Sequence, residues 1–260
     1  MNHDGLMAKV MQKYWGIKKV PYDELTKDFL KQCQSGSVEL NGKHYKYYQK
    51  GNGPTVVLVH GLHSNLGSMV PIAQDLIGQG FKIALFDAPA HGEAPGTETN
   101  PAQIREVFRK IGGQIGEIRA MVCHSLGGFW SFCAWGDDFR AETFVSIASP
   151  ATHKFLVEKF VQLGQLNNQI AEGIYKELER LFGERVWVDF SPSEIVKSIG
   201  VPGLIIHGKN DDFVPPAHAG QLHASWANAK LEMMEGLGHF DVVTSPKARA
   251  LVTSYLREFQ

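Results

Sequence analysis

The segment Met121-Val122-Cys123-His124-Ser125-Leu126-Gly127-Gly128 decides the fold. Residues 119–124 form a short apolar run suited to a buried parallel strand. Gly127 and Gly128 are small enough for a strand and a helix to pack closely just past a tight turn. Residues 129–135 stay apolar and are compatible with a buried helix. Ser125 thus stands at the tip of a strand-to-helix turn, beside a helix N-terminus whose backbone amides can stabilise a developing oxyanion. A serine there also serves as an ordinary helix cap. The nucleophile-elbow pattern G-x-S-x-G carries Cys123 in its first position, where the steric requirement is for a small residue. The choice between cap and nucleophile falls to the rest of the chain.

Outward from this turn, buried strand runs alternate with helical stretches. The strands fall at 55–60, 82–87, 119–124, 142–148, 203–207 and 230–235, the helices at 68–79, 101–116, 126–136 and 216–226, with a closing helix at 245–258. Such alternation implies an α/β fold with a mainly parallel sheet flanked by helices on both faces. Ligands of these sheets bind beyond the carboxyl ends of the strands. Those ends carry His60-Gly61, Asp87-Ala88-Pro89, His124-Ser125, Ser149-Pro150, His207-Gly208 and Glu235-Gly236, a concentration of His, Ser and Asp at one edge.

Ahead of the alternation, 38–40, Asn41-Gly42 and 43–49 read as a hairpin. Residues 1–37 read as an N-terminal helical leader, with an apolar stripe of Val10, Tyr14, Trp15 and Ile17 and a short helix at 23–33. The stripe packs on the main domain, forms a dimer contact or faces a membrane. One connection is long: about fifty residues separate Pro150 from Gly203, against roughly a dozen for an ordinary crossover. Phe155, Leu156, Phe160, Leu163 and Leu166 suggest one amphipathic helix there, and Ile170, Ile174, Leu178, Leu181 and Phe182 a second. The expected organisation is a core of 38–150 and 191–260, with 151–190 inserted as a small helical cap over the strand-end edge.

Composition narrows the function. A chain of 260 residues with 43% hydrophobic and 20% charged residues suits one soluble enzyme domain with a sizeable core. The net charge of −1 supplies no drive toward nucleic acid or an anionic membrane. Three cysteines make no disulfide framework and suit a reducing, cytoplasmic setting. His3, Asp4, Lys9, Lys13, Lys18 and Lys19 interrupt the first twenty residues, so no secretory signal is expected, and no window is long and apolar enough for stable membrane insertion. The 11 histidines lack metal-ligand spacing, so neither a metal nor a cofactor is expected.

A serine nucleophile needs a base to take its proton and a carboxylate to orient that base. Two later segments offer them. Gly203-Leu204-Ile205-Ile206-His207-Gly208-Lys209-Asn210-Asp211-Asp212 is a strand followed by an acidic turn, and Gly236-Leu237-Gly238-His239-Phe240 follows the next strand. With His60-Gly61-Leu62, Asp87-Ala88-Pro89-Ala90-His91-Gly92, the Ser125 turn and Val214-Pro215, these motifs resemble, in kind and order, those of the α/β-hydrolase superfamily, from about Val38 to the C-terminus. Ala90 replaces a glycine of the family's loop, and Cys123 one of its elbow.

The resemblance implies Ser125 as nucleophile, His239 as general base and Asp211 as its orienting acid. The backbone amides of Leu62 and Leu126 are then the oxyanion hole. Asp212 is the rival acid. His124 is expected to pack within the elbow, His91 to hold its glycine-rich loop, Cys123 and His207 to be buried packing residues, and His63 to be a candidate substrate contact. The expected function is a carboxylesterase-like serine hydrolase that cleaves small-molecule esters of short to medium acyl chain through an acyl-enzyme, as a monomer or homodimer. A thioesterase, a monoacylglycerol lipase, a C–C bond hydrolase or a perhydrolase-like enzyme would use the same residues, and the fold also serves ligand receptors.

Overall fold

In the computed structural model, which describes residues 3–136 and 138–260, Asn41 and Gly42 both adopt positive φ, 52° and 73°. That pairing is what a two-residue hairpin turn of matching twist requires. The turn joins β1 (Gln34–Leu40) to β2 (Lys43–Lys50), paired from Leu40↔Lys43 to Gln34↔Gln49. β1 begins at Gln34, inside the stretch read from sequence as leader, because backbone pairing continues where the side-chain pattern fades. Met1 and Asn2 of that leader, and Asp137, lie outside the described residues.

Six further strands follow: β3 (Thr55–Val59), β4 (Lys82–Phe86), β5 (Ala120–His124), β6 (Thr143–Ile147), β7 (Gly203–Gly208) and β8 (Ala229–Met234). They join the hairpin in one eight-stranded sheet ordered β1-β2-β4-β3-β5-β6-β7-β8. β2 pairs antiparallel with β4, and every later pairing is parallel. The central strands β5 and β6 are buried at every residue, as continuous apolar runs covered on both faces must be.

Two helices precede the sheet, α1 (His3–Trp15) and α2 (Glu24–Leu30). Crossovers are made by α3 (Val70–Gly78), α4 (Pro101–Ile115) and α5 (Leu126–Ala134). Between β6 and β7 lie α6 (His153–Leu163), α7 (Asn168–Phe182), α8 (Val186–Asp189) and α9 (Pro192–Ile195). The chain ends through α10 (Ala217–Ser225), α11 (Asp241–Thr244) and α12 (Pro246–Leu256).

α4 illustrates why these segments are helical. Asn100 caps it by accepting from the Gln103 amide at 3.0 Å, Pro101 supplies a fixed φ in the first turn, and Ile104, Val107, Phe108, Ile111 and Ile115 form one buried stripe. α4, α5 and α10 cover one face of the sheet, α3 and α12 the other. On the first face Phe132 stacks on Phe144 at 4.2 Å, and Trp226 meets both edge-on. Gly203 makes room for that indole, since any Cβ there would overlap it.

A third, smaller core lies above the sheet. Val10 and Met11 of α1 are buried with Val157 of α6 and Ile174 and Leu178 of α7. α1 is thus packed against the helices of the long β6–β7 connection, which α6 and α7 enter by side-chain caps from Thr152 and Asn167.

Candidate active site

Ser125 leaves the buried strand β5 and starts α5 with φ 53° and ψ −126°. This is a sparsely populated backbone region for a non-glycine residue, tolerated where the surroundings over-determine it. The Ser125 amide donates to Ile147 O at 2.8 Å on β6, which fixes the turn. Gly127 allows α5 to start close against β3, since a Cβ would strike the carbonyls of Val59 and His60.

Three side chains converge here. His239 Nδ1 donates to Asp211 Oδ2 at 2.7 Å, and its Nε2 faces Ser125 Oγ at 2.9 Å. Ser125, Asp211 and His239 are 6%, 3% and 7% exposed, so the relay is shielded from bulk water yet reachable. Asp211 Oδ1 accepts from the amides of Phe213 and Val214 at 2.9 and 2.8 Å. Burial opposes its charge, but hydrogen bonds from His207, His239 and the Val214 amide outweigh it and hold the carboxyl well below the usual range. It is therefore an anion against His239 at every ordinary pH. Asp212 is exposed and meets Lys159 only through its backbone carbonyl, at 3.0 Å.

Of the surrounding histidines, His60, His91 and His124 are fixed and neutral. His124 Nε2 donates to the His239 carbonyl at 3.0 Å, a backbone tether for the candidate base, and burial pushes its imidazole down to about 3. His60 Nδ1 donates to Gly61 O at 2.7 Å while Nε2 accepts from Ala88 N at 3.0 Å, and burial pushes it down to about 4. His91 donates from Nδ1 to Pro89 O at 2.9 Å. His207 does more than pack: Nε2 donates to Val214 O at 2.8 Å and lies 3.2 Å from Asp211 Oδ2. Cys123 is buried, its thiol pushed up to about 12 by that burial.

Gly61 abuts Ser125 so closely that a Cβ would sit 2.9 Å from the serine Cβ. Leu62 follows, so its amide and that of Leu126 flank the serine. Neither amide has a hydrogen-bond acceptor among the described residues. Two unpaired donors beside a nucleophile are what a developing oxyanion needs. His63 has φ 50° and stands exposed at the cavity mouth, its imidazole lowered by partial burial and by Lys18.

Sequence reasoning missed the brace behind that loop. Asp87 Oδ1 accepts from the Leu66 amide at 2.8 Å, and Oδ2 from the Glu93 amide at 2.9 Å and the Tyr22 hydroxyl. Asn65 donates to the carbonyls of Val20 and Pro21, both at 3.1 Å. The segment between α1 and α2 is thereby stitched to the loop that carries Leu62. Asp87 was visible in its motif; Tyr22 gave no signal.

A cavity of about 580 Å³ opens onto Ser125 and His239. Its walls come from the β3 loop, α5, α6 and the turns holding Phe213 and Phe240, and also from Lys13, Tyr14, Trp15, Gly16 and Ile17 of the leader. The leader is held in that wall by Ile17 N donating to Thr97 O and Thr99 N to Trp15 O, at 2.9 and 3.0 Å. Among the described residues no cluster of three or more His, Cys, Asp or Glu is placed to hold a metal, and no helix is long and apolar enough to cross a membrane.

Residues 56–250 match the model of a family described as the alpha/beta hydrolase family. Comparison with curated proteins gives no match. Among solved structures the chain is similar to a membrane phospholipase A described as a novel bacterial virulence factor, with 17% identity, a TM-score of 0.67, and 98% of this chain and 92% of that one covered. It is similar to a thermophilic esterase from Thermogutta terrifontis, with 16% identity, a TM-score of 0.64, and coverage of 87% and 99%. It is also similar to a thioesterase domain from the curacin biosynthetic pathway, with 14% identity, a TM-score of 0.62, and coverage of 86% and 99%. At these identities the likeness is one of fold.

Proposed function

Since the chain belongs to the alpha/beta hydrolase family, we propose that it is a serine hydrolase that cleaves carboxylic esters of short to medium acyl chain through an acyl-enzyme. The observation that carries this reading is the relay from Ser125 Oγ to His239 at 2.9 Å and from His239 to Asp211 at 2.7 Å, beside two amides that are unpaired among the described residues. Ser125 attacks the ester carbonyl as His239 Nε2 takes its proton. The oxyanion forms against the Leu62 and Leu126 amides. Asp211 stabilises the imidazolium, which then protonates the departing alcohol. Water repeats the sequence on the acyl-enzyme, with His239 again as base. No cofactor enters these steps.

The cavity supports an ester of modest size, within the usual range for small-molecule sites. Its aliphatic and aromatic walls suit an acyl chain. We read 151–190 as the cap over it, with α1 as a third cap helix, and His63 as a contact for the substrate at the mouth.

The test is hydrolysis of p-nitrophenyl esters from acetate to decanoate, with Ser125→Ala alongside. Ser125-dependent turnover with a short- to medium-chain optimum is expected. Full activity in Ser125→Ala overturns the mechanism. A single burst without turnover replaces the enzyme with a receptor, and activity confined to thioesters shifts the substrate class.

A further inference from the structure

Tyr14 and His153 are a polar pair set into an aromatic part of the cavity wall. Tyr14 comes from α1 and meets Trp15 and Phe160 edge-on at 4.6 and 5.1 Å. His153 begins α6 and is packed among Phe129, Trp187 and Phe190, with ring centroids at 5.8, 5.5 and 6.2 Å. Both line the cavity. Their one mutual contact, Tyr14 Oη to His153 Nε2, is 3.4 Å long. That is well beyond the ordinary length of a hydroxyl hydrogen bond. His153 is 1% exposed and its Nδ1 has no hydrogen-bond partner among the described residues.

A phenylalanine at position 14 would roof the cavity without burying a hydroxyl. A tyrosine hydroxyl carries one donor and two acceptor sites, and here it has one long contact. Under-used polar groups in an apolar wall are costly unless a ligand completes them. Position says which part of the ligand does so. The departing alcohol must reach His239, whose ring is flanked by Phe213 and Phe240. His153 instead rests on Phe129, one helical turn into α5 beyond Ser125, which sets it on a different wall from that flank.

We infer that the Tyr14 hydroxyl, oriented by His153, is a hydrogen-bonding subsite for a neutral oxygen, a hydroxyl or keto group, carried several bonds from the carbonyl on the acyl chain of the substrate. This deepens the ester-hydrolase reading and rests on it. Neutrality follows from the surroundings: burial holds the Tyr14 phenol up and pushes His153 down to about 4, so neither group is charged near neutral pH. The pair therefore offers a hydroxyl or ketone a partner and offers a carboxylate on the chain no counter-charge.

The test compares p-nitrophenyl hexanoate and octanoate with their ω-hydroxy and penultimate-oxo analogues, using the full chain and Tyr14→Phe. The expected ratio of kcat/KM, oxygenated over plain, is about 5- to 20-fold in the wild type and near unity in Tyr14→Phe. A wild-type ratio near unity, or a ratio unmoved by Tyr14→Phe, overturns the subsite. If neither ester class is hydrolysed, the ester-hydrolase reading falls by itself. The subsite is then judged on Ser125→Ala by tryptophan fluorescence on binding ω-hydroxyoctanoic against octanoic acid. Tighter binding of the hydroxy acid that Tyr14→Phe abolishes sustains it, and equal binding overturns it.

Discussion

Replacing Asp211 by Asn tests the relay without removing its frame. Asp211 Oδ1 accepts from the Phe213 and Val214 amides, and Oδ2 from His239 Nδ1. In Asp211→Asn the amide oxygen keeps the two backbone donors, so the NH2 group turns toward His239. Facing a donor, Nδ1 becomes an acceptor and the ring proton moves to Nε2, the nitrogen that faces Ser125 Oγ at 2.9 Å. The base is then blocked by its own proton. An inverted tautomer of this kind costs about 10,000-fold in kcat in serine proteases, and a loss of roughly 1,000- to 10,000-fold is expected here. His207 Nε2 retains Val214 O at 2.8 Å, so the turn survives and stability changes by no more than about 2 kcal/mol. The assay is steady-state hydrolysis of the preferred p-nitrophenyl ester, with urea unfolding in parallel and Asp212→Asn as comparison, expected within about two-fold of wild type. A loss under ten-fold in folded Asp211→Asn, or an equal loss in Asp212→Asn, refutes the assignment.

Gly127→Ala should destabilise the fold by about 1–3 kcal/mol and depress kcat, since its Cβ collides with the backbone of Val59 and His60, whereas Gly113→Ala, on the exposed side of α4 with nothing within 4 Å of the added Cβ, should stabilise by about 0.5–1 kcal/mol. Urea unfolding measures both, and the same sign for the two variants would contradict the packing argument. Tyr22→Phe removes a donor from the buried Asp87 carboxylate and should cost about 1.5–3 kcal/mol, read by the same method. Stability should also fall in mild acid. Burial pushes His60, His91, His124 and His153 down to about 4, 3, 3 and 4, so the folded chain refuses protons that the unfolded chain binds near 6.5. The stabilisation is whole above that value and is lost as pH drops toward 4, by up to about 1.4 kcal/mol per proton per pH unit. Unfolding midpoints that stay flat from pH 7.5 to 5 would exclude it.

What sequence shows and what it hides divides by distance along the chain. Asn41-Gly42 declares its hairpin because the turn needs only those two residues. The strands declare themselves because each is a short apolar run, and the turns bearing Ser125, Asp211 and His239 are local patterns at strand ends. In the sequence only family spacing favours Asp211 over Asp212, while the fold buries Asp211 and leaves Asp212 exposed. His207 read as packing because its contact with Asp211 depends on the curl of the turn between them. Tyr22 on Asp87 and Tyr14 beside His153 were illegible, since no periodicity links residues so far apart. The stripe on α1 announced a buried face without naming what buries it.

That stripe has a consequence for biosynthesis. Tyr14 and its partner His153 are 139 residues apart in sequence. At about 5–20 residues per second, α1 leaves the ribosome many seconds before α6 and α7 exist to receive Val10 and Met11. A helix of 13 residues is marginal in water by itself, so during that interval its apolar side chains have neither a stable scaffold nor a cover. The part of the cavity wall that α1 supplies is therefore made well before the helices that seat it. Nascent chains of this protein should therefore lean on a holding chaperone until about residue 182 has emerged, where Phe182 meets Trp15 of α1 edge-on.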